Sequence, residues 1–159
     1  MITLEKAFFA DCRQVHEMQI TAFRKLLDKY QDTQTNPGAE TLDNIERRME
    51  QENSTYYFIT LEKRQRIGVI RVVRPEPETC RISPMFILPE FQGKGYAQQA
   101  IACAENQYPF AERWELDTIK QEPALCHLYE KMGYRATDQE EDIQKGMTII
   151  YYRKVIRIN

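Results

Sequence analysis

The segment Met85-Phe86-Ile87-Leu88-Pro89-Glu90-Phe91-Gln92-Gly93-Lys94-Gly95-Tyr96-Ala97 constrains this chain more than any other. It runs from an apolar strand through a proline stop and two glycines into a helix start. Proline cannot donate to a strand ladder, so Pro89 ends the strand. Gly93 and Gly95 allow the positive φ angles that bring a backbone close to a ligand. A helix N-terminus exposes unpaired N–H groups with partial positive charge, which suits a pyrophosphate. The amides of Gln92 to Ala97 are therefore the candidate phosphate cradle. Ala97 keeps the first turn slim, and Lys94 either adds a charge or stays solvated. A P-loop is excluded, because Gly93-Lys94 is followed by glycine rather than Ser or Thr. A dinucleotide fingerprint is excluded, because Gln98 stands at its third glycine. A plain strand-to-helix turn remains the alternative.

The rest of the chain reads as alternating strands and helices. Residues 2–8 alternate in character and predict a strand. Asp11 is placed to cap a helix over 12–27, with Val15, Met18, Ala22 and Leu26 at helical spacing. The turn-rich stretch 31–38 predicts a loop, and Leu42, Ile45 and Met49 mark a second helix over 39–51. Tyr56–Leu61 and Arg66–Val73 predict strands joined at 63–66. The pattern breaks at Pro75-Glu76-Pro77 and resumes over Cys80–Leu88. A helix over 94–107 carries the small face Ala97, Ala100, Ile101 and Ala104. Trp114–Ile119 is a strand, and Pro123 opens a helix that Gly133 closes. Two strands follow, from Tyr134 and over Met147–Ile156. The order β-α-α-β-β-β-α-β-α-β-β predicts an α/β (α+β) fold with a mixed central sheet of about seven strands and helices on both faces.

Composition bounds the function classes. At 159 residues the chain fits a single domain spanning 1–159, large enough to bury about two-thirds of its unfolded surface. The formal charge of −2 and the absence of a basic block give no support for nucleic-acid binding. Cys12, Cys80, Cys103 and Cys126 lack the clustered spacing of a zinc site or disulfide framework, so no metal is expected. No apolar run reaches membrane-span length, and the first residues lack a signal-peptide core, so a cytoplasmic protein is expected.

The segment Gln92-Gly93-Lys94-Gly95-Tyr96-Ala97 resembles the Q/R-x-x-G-x-G/A acyl-CoA-binding signature of the GNAT superfamily of N-acyltransferases. Leu128-Tyr129-Glu130-Lys131-Met132-Gly133-Tyr134 resembles the helix end of the same family, in the family's order, and the element order fits over the full length. The resemblance implies an acetyl-CoA-dependent N-acetyltransferase acting by direct attack of a primary amine in a ternary complex. It implies that the strand carrying Phe86, Ile87 and Leu88 splays from its neighbour and pairs with the pantetheine arm. The amides from Gln92 through Gly93, Lys94, Gly95 and Tyr96 to Ala97 would then hold the pyrophosphate. Tyr129 would protonate the leaving thiolate as general acid, a role open to a neutral phenol; alternatively it packs in the stripe Leu125, Leu128, Tyr129, Met132. Where the family often carries an asparagine, this chain has Glu122, which can cap the helix but offers no amide donor. A non-catalytic acyl-CoA-binding or regulatory domain is the alternative reading.

Transfer needs a neutral amine, hence a base. Glu115, Asp117 and Glu122 are the candidates, each equally readable as a solvated or structural carboxylate. His16 and His127 read as surface or mixed-face residues. The backbone N–H near Ile87 is the candidate polariser of the carbonyl. The resemblance places the acceptor, a small-molecule or peptide amine, among Phe23, Tyr30, the 31–38 loop and Tyr151 or Tyr152. Tyr30, Asp32, Tyr56, Tyr57, Arg71 and Arg74 complete an aromatic and charged wall. Such folds often pair through their C-terminal strands, so a homodimer is compatible with the sequence.

Overall fold

The computed structural model describes residues 1–156. Seven strands form one sheet in the order β1-β2-β3-β4-β5-β7-β6: β1 Ile2–Lys6, β2 Ser54–Leu61, β3 Gln65–Glu76, β4 Thr79–Ile87, β5 Arg113–Ile119, β6 Arg135–Gln144 and β7 Met147–Val155. Four helices accompany them: α1 Cys12–Tyr30, α2 Leu42–Met49, α3 Tyr96–Gln107 and α4 Pro123–Lys131. The element order and the mixed sheet are those expected. Only β4 and β5 pair in parallel, and the other neighbours are antiparallel.

Strand alternation divides the core in two. On one face Val15, Ile45, Tyr56, Phe58, Val69 and Phe86 join α1 and α2 to the sheet. On the other, Ile59, Ile67, Ile101, Trp114, Leu116 and Tyr134 pack with α3 and α4. Ala100, Ile101 and Ala104 are fully buried, so the small-residue face of α3 lies close on the sheet as its spacing required. Gly68 is fixed by proximity: a Cβ there would sit 2.2 Å from the Phe86 carbonyl oxygen.

Two local expectations need correction. Asp11 does not cap α1 with its side chain; its Oδ2 accepts from the Phe8 amide at 2.8 Å and closes a short 3-10 turn instead. Pro75 does not interrupt β3, which continues to Glu76. The last β2 partner of β3 is Val73, so Pro75 lies where its missing N–H costs no ladder bond to β2.

Candidate active site

The site is built around a parting of strands. β4 and β5 are in register only at Thr79–Arg113, Cys80–Trp114 and Arg81–Glu115, and beyond Arg81 they diverge. The Leu88 amide donates to the Ile67 carbonyl at 2.8 Å, on the β3 side. Backbone groups alternate along a strand, so those of Phe86 also face β3 while those of Met85 and Ile87 face the gap. The Ile87 carbonyl is met from that side by Gln92 Nε2 at 2.8 Å. Of the Phe86-Ile87-Leu88 backbone, then, only Ile87 presents an N–H to the gap, and Met85 adds a second that sequence alone did not single out.

The turn continues the gap as an anion cradle. Gln92 ends a 3-10 turn, its amide donating to the Pro89 carbonyl at 3.2 Å, so this amide is already committed. Among the described residues, the amides of Gly93, Lys94, Gly95, Tyr96 and Ala97 have no protein acceptor. Gly93 and Gly95 adopt φ of 77° and 82°, and a Cβ on either would meet nothing within 4 Å. The chain thus leaves open space where a side chain would project, in front of five free donors at the start of a twelve-residue helix. Lys94 is exposed beside them. This donor set fits the pyrophosphate and extended arm of a CoA thioester.

Tyr129 stands on α4, which ends in a hydrogen bond from the Tyr134 amide to the Tyr129 carbonyl at 3.0 Å across Gly133. That closure sets the Tyr129 ring edge-on to Tyr134, with centroids 6.4 Å apart, and tilted against Tyr152 at 6.3 Å. Tyr134 donates to Glu105 at 2.9 Å and Tyr152 to Glu130 at 2.9 Å. Tyr129 is the phenol of the trio without a hydrogen-bond partner among the described residues. Burial, with smaller contributions from Asp117 and Cys126, pushes its pKa well above the usual phenol range. Its proton is firmly held at neutral pH.

The three carboxylates differ sharply. Glu122 binds Lys29 Nζ at 2.7 Å and accepts the Tyr30 hydroxyl, and it makes no side-chain cap to α4. Burial raises its pKa, but the donors Lys29 and Tyr30 together outweigh burial and hold it below the usual range. The expected capping role is therefore replaced by an α1–α4 tie. Glu115 lies before the strands part, between Arg113 at 3.6 Å and Arg153 at 3.9 Å. Asp117 lies past the parting point and pairs with Arg81. Burial raises its pKa above the ordinary carboxylate value despite Arg81.

Several other expected residues sit elsewhere. Tyr57 faces α3 and shares a hydrogen bond of 2.6 Å with Tyr108, away from α1 and α2. Arg74 lies over the Phe110 ring. Asp32 is buried and accepts from Gln34, Thr35 and the Thr35 hydroxyl, which folds the 31–38 loop. Tyr152 faces α4, whereas Tyr151 pairs in register with Asp117. His16 contacts the Glu40 carbonyl at 2.9 Å, and His127 is exposed. Phe23 packs edge-on to Phe86 at 5.7 Å. Sequence alone does not point to Arg81, because only strand pairing brings it to Asp117. Among the described residues no cluster of His, Cys, Asp or Glu is placed to hold a metal, and no helix is long and apolar enough to cross a membrane.

A parted strand pair leading into a turn of free amides has the shape and donors that suit an extended, phosphate-bearing ligand. The acetyltransferase (GNAT) domain model matches residues 26–156, and the chain belongs to that family. Its structure is similar to an acetyltransferase from Thermus thermophilus, with TM-score 0.76, 16% identity, and coverage of 98% of this chain and 97% of that one. It is also similar to spermidine N-acetyltransferase from Vibrio cholerae in complex with CoA and spermine, with TM-score 0.77, 17% identity, and coverage of 97% and 95%. At these identities the likeness is one of fold. No curated protein sequence matches the chain.

Proposed function

We propose that this protein is an acetyl-CoA-dependent N-acetyltransferase that acts on a primary amine by direct attack in a ternary complex. The observation that carries the reading is the continuity of the β4–β5 gap with the free amides of Gly93 to Ala97. Family membership supports it, as does the similar Vibrio cholerae enzyme in complex with CoA and spermine. When bound, acetyl-CoA supplies an acetyl thioester and a thiol leaving group.

The chain's own residues then divide the work. The Gly93–Ala97 amides bind the pyrophosphate, with Gln92 holding the turn against the Ile87 carbonyl. The Met85 and Ile87 amides offer donors to the gap, where a carbonyl oxygen gathers negative charge. Asp117, whose raised pKa suits a base, takes the proton of the attacking ammonium directly or through a water. Tyr129 would hold a proton for the departing thiolate sulfur, and the second proton, lost from the newly acylated nitrogen, would return through solvent to the phenolate. Glu115 lies between two arginines before the strands part, and Glu122 has its pKa lowered by Lys29 and Tyr30, so both serve as structural groups. A thiol-release assay with acetyl-CoA and a broad amine panel tests the reading. Amine-dependent thiol release is expected; acetyl-CoA binding without release from any amine would favour the non-catalytic binding domain.

A further inference from the structure

Beside the parted strands lies a cavity of about 190 Å³ between the 33–40 loop, α2 and β4. Thr35, Asn36, Glu40, Asn44, Arg48 and Ser83 line it. β4 and β5 run parallel with Arg81 opposite Glu115, so Ser83 stands level with Asp117, about 7 Å further along the strands. The cavity therefore lies on the β4 side of the gap, level with the carboxylate that receives the amine proton.

Behind the Ser83 wall of this cavity lies a buried guanidinium without a carboxylate of its own. Arg71 is only 6% exposed, and its guanidinium donates to Ser54 Oγ at 2.8 Å, the Ser83 carbonyl at 2.8 Å and Gln51 Oε1 at 3.1 Å. All three acceptors are neutral, and no carboxylate among the described residues pairs with it. Arg48 pairs at 3.2 Å with Glu40, a carboxylate also bound by Gln19 and Asn44. Two guanidinium groups thus stand near a single carboxylate, and only Arg48 pairs with it. The Tyr56 hydroxyl, fully buried near Arg71 and Arg48, has no partner either. Burying a cation without a counter-charge is costly unless an anion completes the site, and a guanidinium fork pairs well with a carboxylate or a phosphate.

We propose that the amine acceptor carries an anionic group, a carboxylate or a phosphate, which docks at Arg48 above Arg71 while its amine reaches Asp117. This rests on the acetyltransferase reading and narrows its acceptor to amino-acid-like or amino-phosphate molecules, as distinct from polyamines.

Matched acceptor pairs test it: lysine with cadaverine and tyrosine with tyramine for the carboxylate, glucosamine 6-phosphate with glucosamine for the phosphate. The anionic member of at least one pair is expected to win by about tenfold in kcat/KM, the scale of one charge-assisted hydrogen bond. Arg48→Gln should bring that ratio to near one, while Arg48→Lys, which keeps the charge, should retain part of it. Calorimetric titration of the same pairs in the presence of CoA reads the preference without turnover. If nothing is acetylated but the anionic member binds in an Arg48-dependent way, the catalytic reading falls and this inference stands. If the partners without the anionic group bind and react as well as those with it, or Arg48→Gln leaves the preference intact, the inference is overturned.

Discussion

Arg81, in the last register pair of β4 with β5, forms an ion pair with Asp117, two residues past that point on β5. The pair marks where the sheet opens. It holds the mouth of the gap in shape and fixes a carboxylate there that burial has made more basic than usual.

That carboxylate should set the acid limb of turnover. With its folded pKa raised by burial, Asp117 loses its proton at higher pH than an ordinary aspartate, so kcat at saturating acceptor should fall as pH drops through that raised value. Asp117→Asn should lower kcat by about 10²-fold or more, the usual contribution of a general base, and abolish the limb. A pH–rate profile of both proteins checks this.

Tyr129→Phe keeps the packing against Tyr134 and Tyr152 and removes only an unpartnered hydroxyl. Stability and acetyl-CoA affinity should change little, because no protein hydrogen bond is lost. The kcat should fall by about 10²-fold, the scale of general-acid catalysis. Steady-state kinetics beside thermal melting separates this from a packing role, which would leave kcat untouched.

Gly95→Ala places a Cβ in a left-handed residue at the cradle. The strain costs about 1–2 kcal/mol, with no clash inside the chain. Acetyl-CoA affinity should fall by about tenfold, as for one lost hydrogen bond to a charged group. Calorimetry is expected to show a larger effect on binding than melting shows on stability.

Glu122 carries a pH-dependent share of stability. Its folded pKa is held below the usual range, so the contribution is present above the ordinary carboxylate pKa and lost as pH falls through the depressed value. Glu122→Gln should melt slightly lower than the wild type at pH 7, and the gap should close in acid. The effect is small because solvent screens the exposed Lys29 end of the pair.

What the sequence reveals, and what it conceals, divides along the distance between residues. Gln92–Ala97 is legible because proline, glycine and helix start act on one another locally. The inner strands are legible because an apolar pattern is written in each segment, whereas β6, polar and exposed along Arg135–Gln144, carries almost none. Arg81 and Asp117 are remote in sequence, and nothing in either segment announces their meeting. Glu122 reads as a cap or a base until the fold brings Lys29 and Tyr30 to it. Tyr56 and Tyr57 read alike as wall residues, yet one step of strand alternation sends them to opposite faces. The unmatched charge of Arg71 emerges only once its neighbours are known to be neutral.

The most direct test of the cradle is a backbone amide NMR titration of the protein with CoA. Gly93, Lys94, Gly95, Tyr96 and Ala97 are predicted to shift most, together with Met85 and Ile87 in the gap. Unmoved resonances at these amides, or large shifts confined to another part of the chain, would contradict the proposed site.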